Sequence, residues 1–359
     1  GLGHRRLAII DLSEAGGHSG VERILTSEDI PGARHTGLIV QDWPLMIETG
    51  EETRYIGDVL AIVVADTEKN AREAVQKIQV DYEVLSPVTD PKLALEGGSS
   101  QVHSRGNLLS DAEIHRGDLE NARQKSAFIS SGTYSTQRIE HAFMEMECCL
   151  ATPWEQGVEV YSQSQGVYED RKSISSILGL PQEQVRVKLM PNGGGFGGKE
   201  DLSVQGHASL AAFLLKKPVR VALIREESIC MHPKRHPLTM DIEMGCDSMG
   251  RFTFVKSDII GDTGAYASVG MKVLERAAGH ATGAYHVDTV EVRSRAVYTN
   301  NIPCGAMRGF GVNQINFAVE SCVDELCEMG GFDRWQIRYD NALTPGGMTS
   351  TGQVLHSGI

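Results

Sequence analysis

The chain of 359 residues is long enough for two or three domains with buried cores. Its formal charge of −13 argues against nucleic acid as a partner, because a phosphate-binding surface needs an excess of basic residues. No apolar run approaches the roughly 20 residues that span a bilayer, so the sequence predicts no membrane contact.

The seven cysteines are odd in number and contain no CxxC pair. They indicate neither a disulfide framework nor an iron–sulfur or zinc site on this chain. We expect reduced cysteines in a cytoplasmic protein, because disulfides are rare in that compartment. Residues 1–10 do not form a signal peptide, since their apolar stretch is too short.

Residues 1–85 predict a small α/β domain. Residues 59–64 form an apolar run typical of a strand, and Thr67 is a suitable helix N-cap. Apolar residues then recur with helical spacing at Ala71, Ala74, Val75 and Ile78. Val80 and Tyr82 alternate with polar neighbours, which indicates a further strand.

Residues 86–125 contain prolines, glycines and scattered charges, and we expect a surface linker there. A second domain is predicted over residues 126–359. Its expected elements are a helix that stops at Gly179, a strand over residues 185–189, a helix over residues 201–216 and a strand over residues 219–223. The predicted fold class is α+β, with a small α/β domain followed by part of a larger one.

A glycine-rich run, GGGFGGKE over residues 193–200, lies between the predicted strand and the predicted helix. Its five glycines allow the backbone to approach a ligand closely and leave N–H groups free for an anion. The spacing also fits a P-loop, but a P-loop requires Ser or Thr where Glu200 stands. We therefore expect a different cofactor with phosphates; the alternative is a tight turn without a ligand.

Four segments carry a resemblance to a known family. They are YSQSQG (residues 161–166), GGGFGGKEDLSVQ (193–205), GDTGAYAS (261–268) and GAMRGFG (305–311). In this order they resemble the molybdenum-binding subunit of the xanthine dehydrogenase/aldehyde oxidase family, the molybdenum hydroxylases. The resemblance covers nearly the whole chain. It implies a hammerhead-like domain in residues 1–85 and the first part of a molybdopterin-binding domain in residues 126–359.

The resemblance implies a molybdenum–molybdopterin cofactor, in the cytosine dinucleotide form if the source is bacterial. Iron–sulfur clusters and FAD are expected on other chains or domains. The family's catalytic glutamate is expected in a C-terminal half of the molybdenum domain, so no glutamate of this chain is assigned that role. The expected partners are this C-terminal half, an iron–sulfur subunit and an FAD subunit. The chain is expected to be a fragment or half of a split subunit, and not catalytic alone.

The resemblance also assigns the residues that face the cofactor. Gln165 corresponds to the glutamine whose amide bonds the molybdenum oxo group, and we predict a catalytic role for it. Gly195, Phe196 and Gly197 correspond to loop residues beside the cofactor, and Arg308 to an arginine next to the pterin. The metal is held through the pterin, so no direct protein ligand is expected.

Glu200 and Arg276 correspond to the two purine-recognising residues of the family, and they complete the predicted catalytic set. A carboxylate and a guanidinium across a pocket suit a flat heterocycle and stabilise charge on its ring. Phe310 is expected to pack against that ring. Met307 stands where purine enzymes commonly have Phe, so this wall of the substrate pocket is softer. The alternative for Glu200 and Arg276 is a surface salt bridge.

The sequence HPKRH (residues 232–236) could suggest two histidine ligands for a metal ion. However, the prolines at 233 and 237 break the helix that would align the histidines, so no metal site is expected there.

The leading hypothesis for the function is hydroxylation of an electron-poor carbon of a purine or related N-heteroaromatic, with oxygen from water. The alternatives are a nicotinate-type or aldehyde hydroxylase, which Met307 favours, and a non-catalytic paralogue.

Overall fold

The computed structural model describes residues 3–357 of the chain. Within these residues, strands form three sheets of three to five strands and two smaller pairs. The strands are β1 (Arg5–Asp11), β2 (Val21–Leu25), β3 (His35–Thr36), β4 (Trp43–Pro44), β5 (Glu52–Thr53), β6 (Ile62–Ala65), β7 (Gln79–Val84), β8 (Leu108–Arg116), β9 (Phe128–Ser135), β10 (Cys148–Trp154), β11 (Gly157–Ser162), β12 (Val185–Leu189), β13 (Val219–Ala222), β14 (Leu238–Cys246), β15 (Phe252–Gly264) and β16 (Thr289–Tyr298). The α-helices are α1 (Ser13–Gly16), α2 (Glu68–Val75), α3 (Pro91–Ala94), α4 (Leu119–Lys125), α5 (Val167–Leu178), α6 (Gln205–Leu215), α7 (Arg225–Met231), α8 (Gly270–Gly279), α9 (Val312–Gly330) and α10 (Arg334–Asn341).

The N-terminal unit contains the sheet β5-β1-β7 and the pair β2-β6, with α2 packed against β6. The predicted order of strand, helix and strand is confirmed by β6, α2 and β7. Helix α2 begins after Thr67, whose hydroxyl accepts a hydrogen bond from the Asn70 N–H at 3.2 Å. The predicted N-cap is therefore also correct.

The second sheet has the order β12-β11-β10-β13, and α5 and α6 pack together against it. Helix α5 ends at Gly179, which adopts a left-handed conformation with φ of 63°. The predicted strand over 185–189 is confirmed. Helix α6 begins at Gln205 and not at Asp201, because the Asp201 carboxylate is held by a hydrogen bond from Ser268 on another segment.

The third sheet has the order β8-β16-β15-β14-β9. Helices α8 and α9 contact each other and pack against this sheet, which creates the largest buried apolar core of the described chain. Strand β15 pairs with β14 in the antiparallel sense and with β16 in the parallel sense. This arrangement brings the start of α8 and the start of α9 to the same side of the sheet.

The linker predicted over residues 86–125 is wrong for residues 108–125. Strand β8 pairs with β16 as an edge of the third sheet, and α4 packs against the same sheet. One face of β8 carries Asp111 and Glu113, which meet Arg293 of β16 at the protein surface. Because charged residues occupy this face, the strand lacks a strong apolar pattern and was not recognised.

The N-terminal unit is joined to both larger sheets through polar contacts. The Asp42 carboxylate accepts hydrogen bonds from the Ala267 N–H and the Tyr298 hydroxyl, at 2.9 and 2.8 Å. On the other side, the Gly32 N–H donates to the Ile177 carbonyl of α5 at 2.9 Å. All seven cysteines have free thiols. Between residues 3 and 357, no helix has the length and apolar character needed to cross a membrane.

Candidate cofactor and substrate site

The glycine loop connects β12 to α6 and has an unusual backbone. Gly194 and Gly197 have φ of 107° and 101°, and the non-glycine Phe196 has φ of 53°. A Cβ atom on Gly195 would lie 2.3 Å from the Gln165 Oε1, and one on Gly197 would lie 2.7 Å from the Ala306 carbonyl oxygen. Glycine is therefore required at both positions by close packing, and the Phe196 ring is left half-exposed.

Gln165 lies between β11 and α5 and is fixed to the glycine loop. Its Oε1 accepts hydrogen bonds from the N–H groups of Gly197 and Lys199, at 2.9 and 3.3 Å. Its backbone N–H donates to the Lys199 carbonyl at 2.9 Å. The side-chain amide nitrogen has no hydrogen-bond partner among residues 3–357, and the residue is exposed. Gln165 therefore presents an oriented, uncharged donor beside the glycine loop.

A second loop, residues 305–311, lies directly against the glycine loop. The Arg308 N–H donates to the Phe196 carbonyl at 2.9 Å, and the Arg308 carbonyl accepts from the Arg235 guanidinium at 2.7 Å. The Arg308 guanidinium is exposed and has no ion pair or hydrogen bond within the described chain. The structure thus brings together Gln165, the glycine loop and Arg308, the residues that the sequence assigns to the cofactor-facing group.

Two residues that were not predicted from the sequence, His141 and Glu145, contact the backbone of these two loops and hold it in place. The His141 ring packs against Gly198, and its Nε2 donates to the Ala306 carbonyl at 2.8 Å. Burial lowers the pKa of His141 to about 4, so the ring is neutral near pH 7. The Glu145 carboxylate accepts from the Gly193 N–H at 2.5 Å. No local pattern identifies these residues, because they lie far in sequence from the groups that they contact.

Glu200 and Asp201 follow the glycine loop and differ in burial. Glu200 is half-buried, and this burial raises the pKa of its carboxyl group. Asp201 is buried and accepts a hydrogen bond from the Ser268 hydroxyl at 2.6 Å, which links the glycine loop to the segment before α8. Burial raises the pKa of Asp201 to about 7. Asp201 is not among the site residues predicted from the sequence, although it directly follows the predicted substrate residue Glu200.

Arg276 and Phe310 line one groove of about 730 Å³, together with His280, Asn316 and Thr351. Phe310 has φ of 49° and lies in the sharp turn that begins α9. Neither Glu200 nor Met307 lines this groove. Glu200 and Arg276 make no ion pair among the described residues, so a surface salt bridge between them is not formed. The structure therefore joins Arg276 with Phe310 and places Glu200 at the end of the glycine loop.

His232 and His236 have different partners and do not form a pair of ligands. His232 lies 2.7 Å from Glu140 and 3.0 Å from Glu147, whereas His236 contacts Thr263 at 3.1 Å. Burial lowers the pKa of His232, but the two carboxylates outweigh it and raise the pKa above its ordinary value. The atoms of Glu140, His141 and His232 are close enough for a metal, but a Lys234 ammonium 2.7 Å from Glu140 already compensates this carboxylate.

Two domain families match the chain. Residues 2–86 match the hammerhead domain of aldehyde oxidase and xanthine dehydrogenase, and residues 102–342 match the molybdopterin cofactor-binding domain. The second match covers most of the chain. The chain therefore belongs to the xanthine dehydrogenase/aldehyde oxidase family of molybdenum-binding oxidoreductases, and its predicted fold class is confirmed.

Individual relatives have several named activities. The chain is 38% identical to the nicotinate dehydrogenase large molybdopterin subunit of Eubacterium barkeri, over 99% of the chain and 84% of the relative. It is 36% identical to a probable xanthine dehydrogenase subunit of Bacillus subtilis, over 95% of the chain but 46% of the relative. The aldehyde oxidoreductase from Desulfovibrio gigas has a similar solved structure, with a TM-score of 0.94, 28% identity, and coverage of 98% of this chain and 40% of that one.

We predict that Asp201 makes stability depend on pH. Its pKa in the folded chain lies above the ordinary value, so its contribution to stability is present below about pH 4 and is lost as the pH rises through about 7. Asp201→Asn retains an acceptor for Ser268 but cannot ionise. Its free energy of unfolding should therefore increase relative to wild type between about pH 4 and 7, by about 1 kcal/mol per pH unit, and the difference should level off above pH 7.

Denaturant unfolding at several pH values measures this effect. Asp340→Asn is the matched control, because Asp340 is exposed and its carboxylate accepts a hydrogen bond from Gln336 and makes no ion pair within the described residues. Equal pH slopes for wild type and Asp201→Asn would contradict the assigned role of Asp201.

Proposed function

We propose that this chain forms one side of the cofactor site and part of the substrate pocket in a molybdenum hydroxylase. The observation that carries the proposal is the docking of the glycine loop on the Arg308 loop, with the Gln165 amide fixed beside both. In this arrangement the Gln165 amide is a neutral hydrogen-bond donor and the Arg308 guanidinium is an exposed cation. Both lie beside the backbone of the glycine loop, where the glycines carry no side chains. Such a surface suits an anionic, flat cofactor.

The residues present fit a molybdopterin cofactor. Gly195 and Gly197 lack the Cβ atoms that would clash with Gln165 Oε1 and the Ala306 carbonyl, so the Gln165 amide and the Arg308 loop can lie against the glycine loop. Gln165 would donate from its side-chain amide, Arg308 would supply positive charge, and the exposed Phe196 ring would exclude water. When bound, the cofactor supplies the redox and Lewis-acid chemistry that introduces oxygen from water into a substrate C–H bond. The cytosine dinucleotide form is the one that we propose.

We propose a purine or a related N-heteroaromatic compound as the substrate. The Phe310 ring would stack on the heterocycle, and the Arg276 guanidinium would stabilise negative charge that develops on it. Glu200 would face the substrate from the end of the glycine loop. Burial raises the pKa of the Glu200 carboxyl group at this position.

A nicotinate-type or aldehyde substrate is the second candidate. Two observations favour it: Glu200 lies outside the groove that Arg276 and Phe310 share, and Met307 provides a flexible side chain near the glycine loop. The similarity to a nicotinate dehydrogenase subunit extends over most of that relative. In this case Arg276 would bind the substrate carboxylate, and Glu200 would have a smaller role.

The proposed partners are a C-terminal half of the molybdenum domain, an iron–sulfur subunit and an FAD subunit, in the cytoplasm. Exposed apolar residues that are close in sequence to Glu145, Gln165 and the glycine loop support a partner that packs there; we name this set the apolar rim. It consists of the exposed side chains of Met144, Tyr168, Leu189, Met190 and Phe196, of which Met144 and Tyr168 are 84% and 80% exposed. Large apolar side chains grouped in this way are typical of an interaction surface.

Gly197→Ala tests the cofactor site. The added Cβ would lie 2.7 Å from the Ala306 carbonyl, at a residue with φ of 101°, so the two loops should separate. We expect the molybdenum content of the native complex to fall by roughly tenfold or more, because the supports of a metal site control its occupancy. Gly98→Ala is the control, since Gly98 has φ of 94° but no atom within 4 Å of the added Cβ. Normal molybdenum in Gly197→Ala would refute the proposed site.

Arg276→Gln tests the substrate site. It should lower kcat/KM for the preferred heterocycle by about 10²–10³-fold while the molybdenum content stays normal. Glu200→Gln should do the same only for a purine. The matched control is Arg105→Gln, which removes another exposed arginine outside the groove. Turnover of hypoxanthine, nicotinate and an aldehyde by each variant separates the two candidates, and parallel loss of molybdenum and turnover would make Arg276 structural.

A further inference from the structure

Within the described chain, the buried lysine and arginine residues are Lys199, Lys234 and Arg235. Lys234 has an ordinary counter-charge, since its ammonium lies 2.7 Å from the Glu140 carboxylate. Lys199 and Arg235 have no carboxylate within 4.0 Å anywhere between residues 3 and 357. A buried charge is costly unless it is paired, so these two residues require an explanation.

Lys199 directly follows the last glycine of the glycine loop, and its side chain is buried. Its ammonium donates to the Glu145 carbonyl at 2.7 Å and to the Asn192 side-chain oxygen at 3.2 Å. It also lies 4.4 Å from the centre of the Phe143 ring, a favourable cation–π distance. The Glu145 carboxylate is directed instead to the Gly193 N–H. Within hydrogen-bonding distance the ammonium therefore contacts only neutral groups. Burial lowers the pKa of Lys199, and the Glu147 and Glu145 carboxylates, which make no ion pair with it, offset this in part.

Arg235 is bound to the Arg308 loop in a similar way. Its guanidinium donates to the Arg308 carbonyl at 2.7 Å and to the Asn313 side-chain oxygen at 3.0 Å. Its Nε is buried and has no partner in the described chain. Neutral acceptors again bind the cation and leave its charge uncompensated. The two unpaired buried cations thus lie at the two loops that form the candidate cofactor site, one at each.

We propose that Lys199 and Arg235 are built-in counter-charges for the anionic cofactor, and this inference rests on the proposed function. They act as positioning residues in two ways. Their charges create a positive electrostatic potential at the loops, and their hydrogen bonds fix the Glu145 and Arg308 carbonyl groups. A positive charge in a low-dielectric site favours binding of an anion and favours the addition of electrons to it. Loss of either charge should therefore weaken cofactor retention and lower the reduction potential of the bound molybdenum.

The test compares neutral and charged replacements of Lys199 in the native complex. Lys199→Met and Lys199→Gln remove the charge, and Lys199→Arg retains it. We expect both neutral variants to lose molybdenum at least tenfold faster during dialysis and to show a lower molybdenum midpoint potential in an EPR-monitored titration. Lys199→Arg should resemble wild type in both measurements. Lys188→Met is the control, because Lys188 is partly exposed and already paired with Glu159 at 2.9 Å.

The possible outcomes distinguish an effect of the lost charge from an effect of a disturbed structure. They also distinguish a failure of the counter-charge inference from a failure of the proposed function. Unchanged potential and retention in the neutral variants, with normal molybdenum, would overturn the counter-charge inference alone. An equal potential shift in Lys199→Arg would also overturn it, because the charge is retained there. Arg235→Gln and Arg235→Lys form a second series and decide the matter if the neutral Lys199 variants do not fold. A wild-type complex without molybdenum would instead contradict the proposed function.

Discussion

The hydrogen bond from the Arg308 N–H to the Phe196 carbonyl joins two loops that come from different sheets. It can form only because Gly197 has no Cβ atom where the Ala306 carbonyl approaches. The contact fixes the relative positions of the Gln165 amide, the half-exposed Phe196 ring and the Arg308 guanidinium. The remaining features of the site depend on this backbone contact.

The rest of the fold keeps the two loops in contact. The sheet with α5 and α6 carries the glycine loop, and the sheet with α8 and α9 carries the Arg308 loop. Buried polar groups such as His141 and Asp201 connect the two sides, and the N-terminal unit contacts both sheets. Several of these groups have a pKa shifted by burial. Burying these ionisable groups costs free energy, and the large apolar cores of the two sheets offset this cost.

The sequence predicts those features that have a local cause. Thr67 caps the start of α2, Gly179 caps the end of α5, and the glycine loop lies between a strand and a helix. These features are predictable because caps and glycines act on their own neighbours in sequence. Strand β8 is missed because it is a charged edge strand. The family motifs identify the residues that face outward, but not His141 or Arg235, whose roles arise from contacts between distant segments.

The most direct test is the molybdenum and nucleotide content of the native complex that purifies with this chain. The chain holds its cofactor-facing groups in place through neutral donors and unpaired cations, so the account predicts near-stoichiometric molybdenum. Acid hydrolysis of the complex should release CMP in a matching amount. A complex that contains a complete molybdenum domain but neither molybdenum nor CMP would contradict the account, and it would indicate a folded, non-catalytic relative.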